Sequence, residues 1–379
     1  MLIMQNKREY WLVLFLLLCS VWVMMSCGDE RSYTIVAYVP DWKDNWGADD
    51  ELAKEITHIN YAFANIVDGR VVEGGIKDNI DLSKIRELKR VNPKLKILIS
   101  IGGWTWSGNF SDVAMTAGGR KLFASSAIDY MIRHQLDGID IDWEYPGLPG
   151  AGNIHRAADK EHFTALLREV RTQLDSVEKL QDRKYILTIA TAASQAYLDH
   201  TEMEKVSQIV DFINIMTYDF HGGWEGITGH HANLRRSLSD KDTATVSAAI
   251  AVSQHQTAGV PHDKLVLGVP FYGRYWQGVT PANHGLYQSA NGVGGSVNYT
   301  AIRDSLLASG FEYHWDSTAV APYLWHPGDS TFVTYENPKS LKAKIQFVKE
   351  NHLKGIMFWQ FNGDDGELVR VIGEGLRKP

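Results

Sequence analysis

From Tyr33 onward, short β-rich runs alternate with stretches whose apolar positions recur every three or four residues. Eight runs read as strands: Thr34–Val39, Thr57–Ala64, Lys96–Ile101, Gly138–Trp143, Ile186–Ala190, Phe212–Thr217, Leu265–Pro270 and Gly355–Trp359. Between them, Glu161–Asp175 places Phe163, Leu166, Leu167, Val170 and Leu174 on one helical face, and Lys121–His134 behaves likewise. This alternation predicts a parallel α/β fold, and eight units predict a (β/α)8 TIM barrel over residues 33–379. The active site of such a barrel lies at the C-terminal ends of its strands. Glu144, Tyr218, Asp219 and Trp359 fall there. One interval breaks the rhythm, because more than eighty residues separate the seventh run from the eighth. Residues 275–335 are rich in Gly, Tyr and short alternating runs, and Ser340–Asn351 then resumes as a barrel helix. The aromatic content of that interval argues against a structureless loop.

The fourth run carries the chemistry. In Asp137-Gly-Ile-Asp140-Ile-Asp142-Trp-Glu144, alternate side chains share a face, so Asp140, Asp142 and Glu144 point one way, roughly 6–7 Å apart. Ile139, Ile141 and Trp143 form an apolar packing surface on the other side. Three carboxylates on a buried strand repel one another, and burial disfavours their charged forms, so at least one holds a proton at neutral pH. Packing alone does not explain that cost, which points to a catalytic site. A calcium site and a solvated acidic edge are the alternatives. Calcium loops place Gly and turn residues between their ligands, whereas the spacers here are Ile, Ile and Trp.

Composition narrows the partners. The net charge of −7, mixed along the chain without a basic stripe, argues against nucleic acid. Trp42, Trp46, Trp104, Trp106, Trp224 and Trp276 sit beside Gly, Ser and Asp in predicted loops. Flat apolar rings next to hydrogen-bonding groups suit a sugar-binding groove. The fourteen His show no metal-ligand spacing, with His230-His231 the one adjacent pair, and neither a GxSxG elbow nor a phosphate loop occurs. No cofactor and no metal are expected.

The N-terminus reads as a signal peptide over residues 1–27. Lys7 and Arg8 precede an apolar run from Tyr10 to Met25, too short for a spanning helix. Both cysteines, Cys19 and Cys27, lie in it, so the mature domain has no disulfide framework. Met24-Met25-Ser26-Cys27 resembles a bacterial lipobox, and Asp29-Glu30 resembles the acidic export tag of Bacteroidetes-type surface lipoproteins. The expectation is a monomer held by a lipid on Cys27 through a tether at residues 28–32, at the cell surface or in the periplasm. Ordinary signal cleavage and secretion is the alternative.

Asp137, Asp140, Asp142 and Glu144 fit the DxxDxDxE signature, and the chain thereby resembles glycoside hydrolase family 18, the chitinase family. Further pieces match in order: Ala37-Tyr38 with Trp42, His58 to Phe63, Ser100-Ile-Gly-Gly103-Trp104, Met216-Thr-Tyr218-Asp219, Gly268 to Arg274, and Gly355 to Trp359. The resemblance implies that residues 275–335 are a small α+β insertion domain walling a deep groove. It implies Glu144 as general acid, Asp142 as partner of the substrate acetamido N–H, Asp140 as its proton-sharing neighbour, and Tyr218 as donor to the acetamido carbonyl. Tyr38, Phe63, Gly103, Trp104, Tyr145, Met216, Asp219, Tyr272, Arg274 and Trp359 become substrate-binding residues, with Trp359 as the floor. Asp137 and Ser100 become structural supports. The implied reaction is retaining, substrate-assisted hydrolysis of β-1,4-linked N-acetylglucosamine in chitin or related glycans. N-glycan cores and peptidoglycan are rival substrates. A non-catalytic lectin of the same fold is the rival class, and the presence of Glu144 weighs against it.

The lipobox reading predicts that Cys27→Ser moves the protein from the membrane pellet to the soluble fraction, because stable anchoring needs more than one acyl chain. An unchanged distribution on fractionation favours secretion instead.

Overall fold

The computed structural model describes residues 33–40, 50–242 and 246–377. The signal peptide, Cys27, the tether, Trp42 and Trp46 lie outside the described residues. The chain forms β1 (Thr34–Val39), β2 (His58–Val67), β3 (Arg70–Val72), β4 (Lys96–Gly102), β5 (Gly138–Asp142), β6 (Ile186–Ala192), β7 (Phe212–Met216) and β8 (Leu265–Pro270). It continues with β9 (Tyr272–Trp276), β10 (Gly294–Asn298), β11 (Glu312–Asp316), β12 (Ala321–His326), β13 (Thr331–Thr334) and β14 (Gly355–Trp359). Eight strands run parallel in the order β1-β14-β8-β7-β6-β5-β4-β2, and pairing of β1 with β2 closes them into a barrel.

The helical faces follow from the apolar periods. Helix Asp159–Gln181 buries Phe163, Leu166, Leu167, Val170 and Leu174, and they join Ile139, Ile141 and Trp143 in the layer between barrel and helices. Helix Ala117–Arg133 starts where the Thr116 side chain accepts a bond from the Gly119 N–H. Helix Pro338–Glu350 starts at Asn337, which caps it, with Pro338 in the first turn. A separate, smaller apolar cluster of Val36, Tyr38, Ala62, Phe212, Val266 and Met357 fills the barrel interior.

Two strand boundaries differ from the sequence reading by three residues, the others by two at most. β2 extends past Ala64 to Val67, where Asp68 and Gly69, both at positive φ, turn it into a hairpin with β3. Asp-Gly suits such a two-residue turn because both central positions are left-handed. The long interval after β8 builds a five-stranded antiparallel sheet, ordered β10-β9-β13-β12-β11. Its first strand begins at Tyr272, so a boundary at 275 cuts through β9. Only Phe271 separates β8 from β9, and pairing of Tyr272–Trp276 with β10 defines the strand. Trp276, Val279, Leu286, Tyr323, Trp325 and Phe332 give this sheet an apolar cluster of its own.

Asp137 lies at the base of β5, away from the mouth. Its carboxylate pairs with Lys89 at 2.6 Å and Arg183 at 2.7 Å and accepts the Ile97 N–H at 2.8 Å. It therefore ties the start of the acidic strand to β4. Both cations are partly solvated, which moderates the pairs. The buried amide bond is the larger loss, so Asp137→Ala is expected to cost about 2–3 kcal/mol. Urea unfolding measures this, and a loss below about 0.5 kcal/mol, the range of featureless surface changes, contradicts the role.

Candidate active site

The acidic row rises from the barrel interior to the mouth, and each member meets a different environment. Asp140 is fully buried. Its Oδ2 accepts from the Tyr38 hydroxyl at 2.8 Å and the Ser100 hydroxyl at 2.7 Å. Its Oδ1 accepts from Thr188 at 2.5 Å and Asn214 Nδ2 at 3.5 Å. Strand register explains the convergence, since Ser100 and Thr188 are the direct neighbours of Asp140 on β4 and β6. Burial pushes the Asp140 carboxyl up, and the hydrogen bonds from Thr188, Ser100, Tyr38 and Asn214 pull against it.

Asp142 lacks such support. It is buried, lines the cleft, and its Oδ1 has no hydrogen-bond partner. Burial, followed by the charges of Glu144 and Asp140, holds its carboxyl well above the usual range. The charge of Asp140 is one of the two that raise Asp142, so the two acids titrate against each other.

Glu144 lies two residues beyond the last β5 pairing. Its N–H donates to Ser107 Oγ at 2.8 Å, and Ser107 Oγ donates to Gly103 O at 2.8 Å and Asp142 O at 3.1 Å. One hydroxyl thus fixes the backbone that carries both outer acids. Burial pushes Glu144 up to about 7; a hydrogen bond with Tyr145 lowers it and the charge of Asp219 raises it. Gly102 and Gly103 bring the chain across below at φ +106° and +74°. A Cβ on Gly103 would come within 2.5 Å of the Phe63 ring. Gly103 is buried against Phe63 and is not among the residues that line the cleft.

The cleft has a volume of about 1290 Å³. Trp359 forms its floor, stacked on Phe63 at 5.6 Å between ring centroids and tilted against Tyr38 at 6.0 Å. Trp104 stands at the rim, half exposed, with its edge to Tyr145 at 6.3 Å. Met216, Tyr218, Asp219, Tyr272 and Arg274 line the opposite side. Ser296 and Asn298 of β10 reach the wall, so the antiparallel sheet shapes the cleft. Asp219 sits at φ +57° and grips Arg274 through two bonds of 2.8 Å. Although burial opposes it, His231 and Arg274 hold the Asp219 carboxyl far below the usual range. Arg274 in turn lies over Trp224 at 5.0 Å and Tyr272 at 5.2 Å. The structure thus brings the predicted residues together, apart from Gly103 beneath the wall, Ser100 and Asp140 behind it, and Asp137 at the far end of the strand.

Sequence reasoning missed Thr188, Asn214, Ser107 and His231. Thr188 and Asn214 stand out in the sequence as polar residues in largely apolar strands. His231, wholly buried 3.7 Å from Asp219, stands in the sequence only as half of a histidine pair. Ser107 left no local signal.

A barrel with a graded acid row, a proton-holding glutamic acid at the mouth and an aromatic floor defines a glycosidase-type hydrolase. Comparison with known proteins gives the same class. Residues 34–364 match the model of Glycosyl hydrolases family 18. The chain is 37% identical to chitinase A1 of Niallia circulans over 89% of its own length, and it spans 58% of that relative. It is 32% identical to chitinase B of Serratia marcescens, covering 84% of this chain and 76% of the other. In three dimensions it superposes on a family 18 N-acetylglucosaminidase from Paenibacillus barengoltzii with TM-score 0.84 and 39% identity, covering 91% of this chain and all of that one. The chain belongs to glycoside hydrolase family 18 and is a glycoside hydrolase of the chitinase type.

The raised Glu144 carboxyl makes a stability prediction with a definite sign. Between its ordinary value of 4.5 and its folded value of about 7, the folded protein holds a proton that the unfolded chain releases. Stability is therefore lost as pH rises through that window and stays lower above it, by up to about 3 kcal/mol. Glu144→Gln removes this cost. The variant is expected to gain stability over wild type from pH 5 to pH 8 in denaturant unfolding. A difference that does not change with pH contradicts the assignment.

Proposed function

We propose that the protein hydrolyses β-1,4-linked N-acetylglucosamine chains by a retaining mechanism in which the substrate's own acetamido group is the nucleophile. The observation that carries this reading is Asp142: a buried, proton-holding acid with an unpartnered oxygen, facing the cleft beside the acid Glu144. A reacting sugar stacked on Trp359 presents its acetamido group to Asp142 and Tyr218. Glu144 donates its proton to the glycosidic oxygen as that bond breaks. The acetamido carbonyl oxygen bonds to the anomeric carbon and forms an oxazolinium ion. As Asp142 turns to the substrate it passes its proton to Asp140, whose hydroxyl neighbours can reorient around the neutral acid, and as carboxylate it then holds the acetamido N–H and stabilises the positive charge. Water, giving its proton back to Glu144, then opens the ring with overall retention.

Asp219 supports this reading over a carboxylate nucleophile from the protein, because Arg274 occupies both of its oxygens. Tyr218 is raised by burial and so keeps a phenolic proton to donate. A second reading, release of single terminal N-acetylglucosamine units, is favoured by the structural likeness to the Paenibacillus barengoltzii N-acetylglucosaminidase. Product profiles on chitin oligomers, a high-mannose glycopeptide and peptidoglycan separate these substrates and the two modes of cutting.

Glu144→Gln is expected to lower kcat on chitin oligomers by about 10²–10⁴ while leaving their binding near wild type. For the wild type, kcat/KM falls as pH rises above about 7, where Glu144 loses its proton. Fully deacetylated oligomers and cellulose oligomers remain uncut, and NMR shows the β-anomer first. Cleavage of deacetylated chains at comparable rates, or the α-anomer first, overturns the mechanism.

A further inference from the structure

A second cluster of chemistry-bearing side chains lies on the antiparallel sheet. His284, Glu312 and His314 bring one ligating atom each to within 4.8 Å of one another. Glu312 and His314 are two apart on β11 and therefore share a face. His284 comes from the segment Ala282–Gly285. That segment is pressed onto the sheet at Gly285, where a Cβ would come 2.6 Å from the Trp325 indole of β12. His284 itself sits in the left-handed region at φ 50° and ψ 40°, which turns it back over β11.

The donor set suits one kind of ligand, and its spacing is near what that ligand needs. Glu312 Oε2 is 3.4 Å from His314 Nε2 and 3.8 Å from His284 Nδ1. Tetrahedral zinc, with bonds of about 2.0–2.1 Å, sets its donors roughly 3.3–3.5 Å apart. The two imidazoles lie 4.1 Å apart between centroids, tilted by 30°. His314 is held in place by stacking on Tyr323 at 5.0 Å, its register partner on β12. His284 and Glu312 are half exposed, so they have room for the small adjustment that closes a coordination sphere. Two imidazoles and one carboxylate suit zinc, copper or nickel rather than magnesium or calcium, which take oxygen ligands.

We propose that His284, Glu312 and His314 form a binding site for a divalent transition metal such as zinc, with water completing the sphere. The site is separate from the cleft and independent of the reaction proposed there. β11 is the terminal strand of the sheet, at the end opposite β10, which reaches the cleft. A metal here bridges that edge strand to the Ala282–Gly285 segment. It acts as a clamp, since an ion that binds the folded form and not the unfolded one stabilises the fold.

The test uses untagged protein stripped with a chelator. Titration calorimetry with Zn²⁺ is expected to show one site per chain, and saturating Zn²⁺ to raise Tm by about 2–5 °C. His284→Ala and His314→Ala each weaken that site by more than about tenfold, since even outer-shell changes cost about 10–100-fold. Glu312→Gln, nearly isosteric, weakens it likewise and keeps the unliganded Tm of wild type. Mg²⁺ has no effect on Tm. Absence of a zinc site, a site unaffected by these variants, or an equal response to Mg²⁺ overturns the proposal.

Discussion

The hydrogen-bonded carboxyl group of Asp140 is the constraint on which the rest of the barrel mouth depends. Donors from four other strands converge on it: Tyr38 from β1, Ser100 from β4, Thr188 from β6 and Asn214 from β7. A buried carboxyl group is tolerated when such bonds replace water. The same bonds fix the relative rotation of the strands around the barrel axis.

From that arrangement follows a division of labour among chemically similar acids. Asp140 is surrounded by donors, Asp142 by neighbouring acids and apolar walls, and Glu144 by the cleft. Environment separates their protonation, as it does wherever two or more carboxyls share a site. Asp219 completes the series at the opposite extreme. Arg274 keeps it charged and holds it in a fixed position. Ser107 supports the geometry from below, because one hydroxyl joins the backbone of Gly103, Asp142 and Glu144.

The antiparallel sheet serves two ends. At one, β9 and β10 deliver Tyr272, Arg274, Ser296 and Asn298 to the cleft wall. At the other, β11 carries Glu312 and His314. An ion held there by side chains ties the edge strand to the Ala282–Gly285 segment without touching the reaction.

Much of this protein was legible along the chain. The eight strands, the amphipathic helices and the one-sided row Asp140, Asp142, Glu144 all follow from repeats within single elements. A strand's period of two and a helix's period of 3.6 are properties of local backbone geometry, so they appear in the sequence directly. The start of the antiparallel sheet was misplaced because β9 follows β8 after one residue, and only pairing with β10 marks it. Thr188, Asn214 and Ser107 become partners of the acids through strand register and barrel closure. His284 meets Glu312 and His314 only once the Ala282–Gly285 segment is folded onto β12. The sequence alone determined which groups share a face. Tertiary structure decided which donor meets which acceptor, because hydrogen bonds act over about 3 Å while the residues that make them are far apart along the chain.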